Sequence, residues 1–554
     1  MLLKGGDAVV EVLKREGVDT IFGYPGGVAL PLYDALYESG IRHILTRHEQ
    51  GAAHAADGYA RASGKVGVCL STSGPGATNL ITGIATANMD SVPMVVITCQ
   101  VTTQLLGKDS FQEADVYGIT TPISKHNFMV KDPKFLPDIL SKAFYIARSG
   151  RPGPVVVDIP KDLFFANIEI DDIPHLPFKG YNPIKEGKSA DIDIVIKALA
   201  EAKRPLLFIG GGVVISDMSQ TLAGLLKKTN LPVIASLLGL SAVDHQYDNY
   251  LGMVGMHGTY AANMAISNCD LLLAMGVRFD DRVTGDIDKF APNTKIAHFD
   301  IDPSEIGKII GVDYSVLGDL SWSLPQVTDK AIVMDISEWL QQLTNWKTEH
   351  PLKYNKKDAT LLPQEVIEGV SDILADDAIV VTDVGQHQMW AAQYCRTRTP
   401  RGFLSSGGLG TMGYGLPAAI GAQIACPDQE VWLFVGDGGI MMNCQELATA
   451  SEHNLPIKIF VINNHGLGMV RQWQRMFFQG HYSASKHYAG TDFAAIAWAM
   501  GVQSLTVKKK CGLKHALEDA KNSQGPILID VWVEDDENVL PMVAPGAPLT
   551  DMME

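Results

Sequence analysis

Val431-Trp432-Leu433-Phe434-Val435-Gly436-Asp437-Gly438 and, further along, Ile457-Lys458-Ile459-Phe460-Val461-Ile462-Asn463-Asn464 decide the fold of this chain. Each begins as a short apolar, β-branched run of the kind that forms a buried strand. Each stops abruptly, one at Gly-Asp-Gly and the other at Asn-Asn. Between them, Asn443 to His453 has the polar start, the glutamate and alanine content and the apolar spacing of a short helix. The unit reads as strand, crossover helix, parallel strand. A right-handed crossover puts both strand ends on one edge of one sheet, so Asp437 and Asn464 are predicted to lie side by side.

Ligands of open parallel sheets bind beyond the carboxyl ends of the strands. One anionic and one neutral oxygen ligand at that place suit magnesium, which takes a few protein oxygens and fills its octahedron with phosphate and water. The flanking glycines let the backbone come close to a diphosphate. Gly-Asp-Gly by itself is also an ordinary turn. The Asn pair at the equivalent end of the next strand favours the ligand reading. The two motifs, separated by residues 439–462, resemble the diphosphate and metal motif of thiamine diphosphate enzymes.

The totals set bounds. A length of 554 residues predicts roughly three or four domains, and 46% hydrophobic residues can fill sizeable cores. No apolar run has membrane-spanning length, and Met1 to Asp7 lacks the long apolar region of a secretory signal. A cytoplasmic protein with no membrane contact is expected. Seven cysteines are scattered and never spaced as Cys-x-x-Cys, which points to neither a disulfide framework nor a zinc site. A net charge of -17 argues against a nucleic-acid partner. Local basic residues must bind any acidic substrate.

From residue 1 to 180, helices and strands alternate: helix Asp7 to Glu16, strand Thr20 to Phe22, helix Leu30 to Ser39, strand Arg42 to Arg47, an alanine-rich helix to Ser63, then strands Val66 to Thr72, Met94 to Cys99 and Val155 to Ile159. Glu49 follows a strand in an almost uncharged run of glycine and alanine. It reads either as an acid in the first turn of a helix, favourable to the helix dipole, or as a partly desolvated catalytic acid. Polar residues 176–191 without periodicity read as a linker.

The second domain is expected at 190–345, with strand Leu206 to Ile209 running into Gly210-Gly211-Gly212, a weak phosphate-turn signal. Arg278 to Gly285 is unusually charged directly after a buried strand, and a surface ion-pair loop would also explain it. A second linker is expected from Asn345 to Thr360, followed by a third domain at 360–554 that shares the first domain's architecture. The fold class is therefore α/β, with three domains each built on a mostly parallel sheet flanked by helices.

Taken together, Arg47 to Arg61, Phe111-Gln112-Glu113-Ala114-Asp115, Arg278 to Gly285, Gly468 to Gln474 and Pro541 to Gly546 resemble the large catalytic subunits of the acetohydroxyacid (acetolactate) synthase family over nearly the whole chain. The resemblance implies thiamine diphosphate, Mg2+ and FAD as cofactors. It implies decarboxylative condensation of pyruvate with pyruvate or 2-ketobutyrate, in branched-chain amino acid biosynthesis. It also implies a homodimer or homotetramer with sites across the dimer interface, and leaves a small regulatory subunit open as a partner. By resemblance, Glu49 is the catalytic acid, and Asp437, Asn464 and the Gly466 carbonyl are magnesium ligands. Gly27, Pro75, Asn79, Gln386, His387, Gly410, Met412, Gly436, Gly438, Gly439 and Met469 surround thiamine diphosphate. The flavin site is implied at Arg151, Gly210, Gly211, Gly212, Leu237, Met256, His257, Arg278, Asp300, Glu305, Ile306 and Asp319. Phe111, Gln112, Lys161, Arg282, Val470 and Trp473 shape the substrate entrance. Arg282 would pair with the acceptor carboxylate, and Trp473 would wall the extra methylene of 2-ketobutyrate, although a structural tryptophan is equally ordinary there. Lys108 and Leu238 depart from the family pattern and put inhibitor fit and flavin affinity in doubt. The rivals are a flavin-free catabolic relative, a pyruvate oxidase, a simple 2-keto acid decarboxylase, or a silent cofactor-binding paralogue.

Overall fold

The computed structural model describes residues 1–170, 180–487 and 490–554; residues 176–179 of the first expected linker lie outside them. Among the described residues stand three parallel six-stranded sheets. The first runs, in spatial order, Arg42–Leu45, Thr20–Tyr24, Gly67–Ser71, Met94–Gln100, Pro154–Pro160, His126–Met129. The third runs Phe403–Leu404, Ile379–Thr382, Val431–Gly436, Lys458–Asn463, Ile527–Trp532, Gln503–Val507. Numbered within each sheet, both read 2-1-3-4-6-5, one topology used twice. The middle sheet runs Tyr250–Met253, Val233–Ala235, Pro205–Ile209, Leu271–Met275, Lys295–Asp300, Tyr314–Leu317 and reads 3-2-1-4-5-6, the order of dinucleotide-binding doubly wound sheets.

These orders fix where ligands can sit, because a point where the strand order reverses leaves a crevice beyond the strand ends. In the third sheet the reversal falls between Ile379–Thr382 and Val431–Gly436. In the middle sheet it falls between Pro205–Ile209 and Leu271–Met275.

The inner strands are apolar because helices cover both faces. Trp432, Phe434 and Phe460 fill one side of the third sheet, and Val431, Leu433, Val435, Ile459 and Val461 the other. That second face is shared with helix Glu49–Ser63, which packs on helix Gly415–Ala425 in a single core. Small residues permit this contact. A Cβ on Gly58 would lie 2.1 Å from Ala418 O, and one on Gly421 would lie 1.9 Å from Ala55 O. The first and third sheets are thus fused backbone to backbone, and one added methyl at either glycine costs about 1–3 kcal/mol through forced separation.

Two expectations are corrected. The single helix expected from Asn443 to His453 is instead a pair, Asp437–Asn443 and Glu446–Glu452. Extended backbone at Gly436 launches the first directly at Asp437, and the Asn443 amide donates to Gly413 O at 2.6 Å where that helix ends. The second linker begins at His350, not Asn345, because helix Ser337–Glu349 buries Trp339 and Leu343 and sets Trp346 edge-on to Trp339. Sequence reading passed over the edge strands His126–Met129 and Gln503–Val507, whose polar residues lack the buried-strand pattern.

Candidate active site

Beyond the third sheet's strand ends lies a pocket lined by Gln386, His387, Met412, Gly436, Asp437, Gly438, Gly439, Asn464, Gly466, Met469 and Val470 among others. Strands Val431–Gly436 and Lys458–Asn463 pair with Gly436 opposite Ile462, which brings Asp437 and Asn464 to one rim. Asp437 is buried and accepts the N–H of Gly438 on Oδ1 and of Gly466 on Oδ2, both at 2.8 Å. Burial pushes its acid up to about 6, while His487 and the two backbone N–H groups pull the other way. Asn464 donates to Gln386 Oε1 at 3.0 Å, and Gln386 donates in turn to Gln472 Oε1 and Glu537 O. His387 is buried with no partner on Nε2, and burial drives its imidazole down to about 3, so it stays neutral. The glycines are required by space: a Cβ on Gly438 would lie 2.6 Å from Leu467, and one on Gly468 would lie 2.0 Å from Gln386 Oε1. Gly410 has φ +69° and sits outside the pocket lining.

Glu49 opens helix Glu49–Ser63, is buried, and accepts from Asn79 Nδ2 at 3.0 Å. A Cβ on Gly76, next to Pro75, would stand 3.3 Å from Glu49 Oε1. Gln112, at φ +59°, packs against Gly74. Gly27 faces open space, Phe111 is 89% exposed, and Lys161 is partly buried after strand Pro154–Pro160. None of these residues lines the pocket that holds Asp437. Within one chain the predicted active-site residues therefore form two separate half-sites.

A cleft of about 250 Å³ opens at the middle sheet's reversal point, walled also by the first and third sheets. Arg151, Gly211, Gly212, Arg278, Asp300, Glu305 and Asp319 of the predicted flavin set line it, together with Leu238. Arg151 bridges its walls, donating to Glu305 at 2.7 Å, Asp302 at 3.2 Å and Ser91 at 2.8 Å. Burial raises the Asp300 acid to about 6. Gly210 serves packing, since its Cβ would lie 2.2 Å from Gly276 O. The structure separates the remaining four from this lining. Leu237 packs against the apolar core, and Ile306 is partly buried beside Glu305. Met256 and His257 lie at another junction, where Arg282 approaches Met256 Sδ at 3.6 Å, Val543 N–H donates to Met256 O, and Gln393 donates to His257 O.

At the mouth of the third-sheet pocket, helix Gly468–Phe477 presents Met469, Val470 and Trp473 to an apolar groove with Phe478. The Arg282 guanidinium lies 5.7 Å from the Trp473 ring centroid, which joins the middle sheet's charged loop to this groove.

Sequence reasoning missed three buried acids that tie these parts together. Asp383, directly after strand Ile379–Thr382, accepts the N–H groups of Val384, Gly413 and Gly415 and so pins the segment carrying Met412. The same strand-end rule that singled out Asp437 would have found it. Asp90 accepts from Arg61 at 2.8 Å and from the N–H groups of Gly407 and Gly408. Glu446 accepts from Arg47 N–H at 2.9 Å. For these last two no local pattern exists, because the backbone N–H groups they accept, those of Gly407 and Gly408 for Asp90 and of Arg47 for Glu446, lie hundreds of residues away.

Two sheets of one topology, a dinucleotide-type sheet between them and a Gly-Asp-Gly/Asn-Asn rim define the class: a thiamine pyrophosphate enzyme. Residues 3–119, 192–327 and 383–531 match the N-terminal TPP binding, central and C-terminal TPP binding domains of that class. The acetolactate synthase large subunit of Parasynechococcus marenigrum is 49% identical over all of this chain and 91% of its own length. That of Corynebacterium glutamicum is 47% identical over 99% of this chain and 90% of its own, and the isozyme 2 large subunit of Escherichia coli is 46% identical over the full length of both. The chain belongs to the acetolactate synthase large-subunit family.

Proposed function

We propose that this chain condenses pyruvate with a second 2-keto acid, releasing carbon dioxide and giving 2-acetolactate from pyruvate or 2-aceto-2-hydroxybutyrate from 2-ketobutyrate. This is the first common step of branched-chain amino acid biosynthesis. The observation that carries the reading is full-length identity to acetolactate synthase large subunits in a chain whose Asp437 and Asn464 share one pocket. Thiamine diphosphate, when bound, supplies a carbanion nucleophile and an electron sink.

Magnesium suits the donor set, because Asp437 offers a carboxylate and Asn464, with its nitrogen engaged by Gln386, offers an amide oxygen. The Gly466 carbonyl is the third protein ligand. The unpartnered His387 Nε2 and the glycines Gly436, Gly438 and Gly439 fit a diphosphate group, and Met412, in the same lining, would give the cofactor an apolar contact. Glu49, with Oε2 engaged by Asn79, keeps Oε1 available and would hold a proton there for the aminopyrimidine of the cofactor. Arg282 pairs with the acceptor carboxylate and Trp473 walls its alkyl group. FAD is assigned to the Arg151–Arg278 cleft, whose two arginines at the reversal point of a dinucleotide-type sheet suit its diphosphate, and it plays a structural part there, since the condensation moves no net electrons. Two chains complete each site, and the name "large subunit" carried by the relatives leaves room for a smaller partner subunit.

Purified protein with pyruvate, thiamine diphosphate and Mg2+ should form acetolactate and be yellow from flavin. Acetaldehyde or acetyl phosphate as main product would overturn the reaction assigned. A colourless protein that FAD cannot reconstitute would overturn the flavin.

A further inference from the structure

We propose that Glu446 is the positioning residue for Glu49, holding the turn that launches the Glu49 helix. The inference rests on the catalytic role given to Glu49 above. Glu446 is fully buried at the start of helix Glu446–Glu452, on the same connection that carries Asp437. Its Oε1 accepts the Arg47 backbone N–H at 2.9 Å, two residues before Glu49. The same oxygen would stand 2.5 Å from a Cβ on Gly51, two residues after Glu49. Oε2 accepts the Thr449 hydroxyl at 2.7 Å, which keeps the carboxylate from rotating away. One carboxylate from the third sheet's side therefore binds the chain just before the catalytic acid and packs closely on it just after.

The surrounding charges leave this grip to Glu446. The Arg47 side chain turns to Glu452 and to Leu45 O, and His48 Nδ1 caps the helix by accepting from Gln50 N–H. His453 follows Glu452 on the far side. Arg47 and His48 face Glu446 from the first sheet's side, and Glu452 and His453 belong to its own helix and the residue after it. Burial pushes the Glu446 acid up to about 7, against the pull of Thr449 and the backbone N–H groups of Arg47 and His48. Above that pH both oxygens accept. Below it, Oε2 carries a proton that it donates to the Thr449 hydroxyl, and the neutral carboxyl holds the Arg47 and His48 N–H groups without charge assistance, so the turn loosens.

The expected signature is an acid limb in kcat centred near pH 7. Glu446→Gln keeps the shape but cannot ionise. It should lose about 10- to 100-fold in kcat, as for a slightly misplaced catalytic group, with the acid limb gone and the pyruvate KM held within about two-fold. Glu446→Asp should restore the limb at partial activity. Gly51→Ala is the second probe: alanine favours the helix, yet its methyl displaces the carboxylate, so a comparable fall in kcat supports positioning over helix stability. Wild-type kcat and an unchanged acid limb in Glu446→Gln, or full activity in Gly51→Ala, would overturn the proposal. If Glu49→Gln is inactive while Glu446→Gln is fully active, only this proposal falls. If the wild type makes no acetolactate, the function itself falls.

Discussion

Gly466 donates its N–H to Asp437 Oδ2 at 2.8 Å, so the carboxylate ties together the ends of two adjacent strands at the floor of the pocket. Asp437 holds its charge against burial, which disfavours it. Asp437→Asn removes the charge but turns an amide –NH2 toward one of the two backbone N–H groups that Asp437 accepts, so the cofactor-free variant should lose about 1–3 kcal/mol of stability. Its affinity for thiamine diphosphate with Mg2+ should fall by more than about 100-fold, beyond what changes outside the ligand shell produce. Calorimetric titration together with a melting curve checks both halves. An affinity for thiamine diphosphate with Mg2+ within about ten-fold of wild type would make Asp437 a structural residue.

Arg151 joins the first and middle sheets across the cleft through Glu305, Asp302 and Ser91. Arg151→Ala leaves Glu305 with Lys308 at 3.0 Å as its remaining ion pair, so the expected loss of stability is only about 1–3 kcal/mol. Flavin retention should suffer far more, because the cleft's bridging cation is gone. The variant should purify with little absorbance near the flavin band while still binding thiamine diphosphate. A yellow Arg151→Ala protein would remove Arg151 from the flavin site.

The fold was legible where periodicity and strand-end residues agree. Val431 to Asn464 announces a buried parallel pair, and its rim residues meet as the crossover rule requires. Local signals ran out in three places. The Asp437–Asn443 helix begins on a residue that reads as a turn, because the glycines that favour turns also permit a helix to start close to the strand. Met256 and His257 sit apart from the Gly211 cleft because their surroundings are set by the C-terminal residues Met542 and Val543 folding back. Asp90 and Glu446 act across the interface between the first and third sheets, and a window of sequence holds only one side of such a contact.

The Arg282 guanidinium stacks on Trp473 at 5.7 Å, which places a cation for a carboxylate beside an apolar wall. Trp473→Leu removes the wall and leaves the cation. In competition between pyruvate and 2-ketobutyrate, the preference for the longer acceptor should fall by about 10-fold or more, as one methylene in an apolar pocket is worth roughly 1–3 kcal/mol. Turnover with pyruvate alone should change less. An unaltered product ratio would return Trp473 to a packing role.

The separation of Glu49 from the Asp437 pocket within one chain has a consequence that mixing can test. If each site takes Glu49 from one chain and Asp437 from its partner, Glu49→Gln and Asp437→Asn homodimers are both inactive, since every site lacks one group. A hybrid of the two variants has one site with both defects and one with neither. Random pairing makes about half the dimers hybrid, so co-expressed variants should regain about a quarter of wild-type activity. The same proteins purified separately should regain it only after dissociation and reassociation. If one chain supplied both groups, no mixture would recover any activity, because every chain carries a defect. Measuring acetolactate formation before and after subunit exchange therefore decides between the two arrangements with the same pair of substitutions.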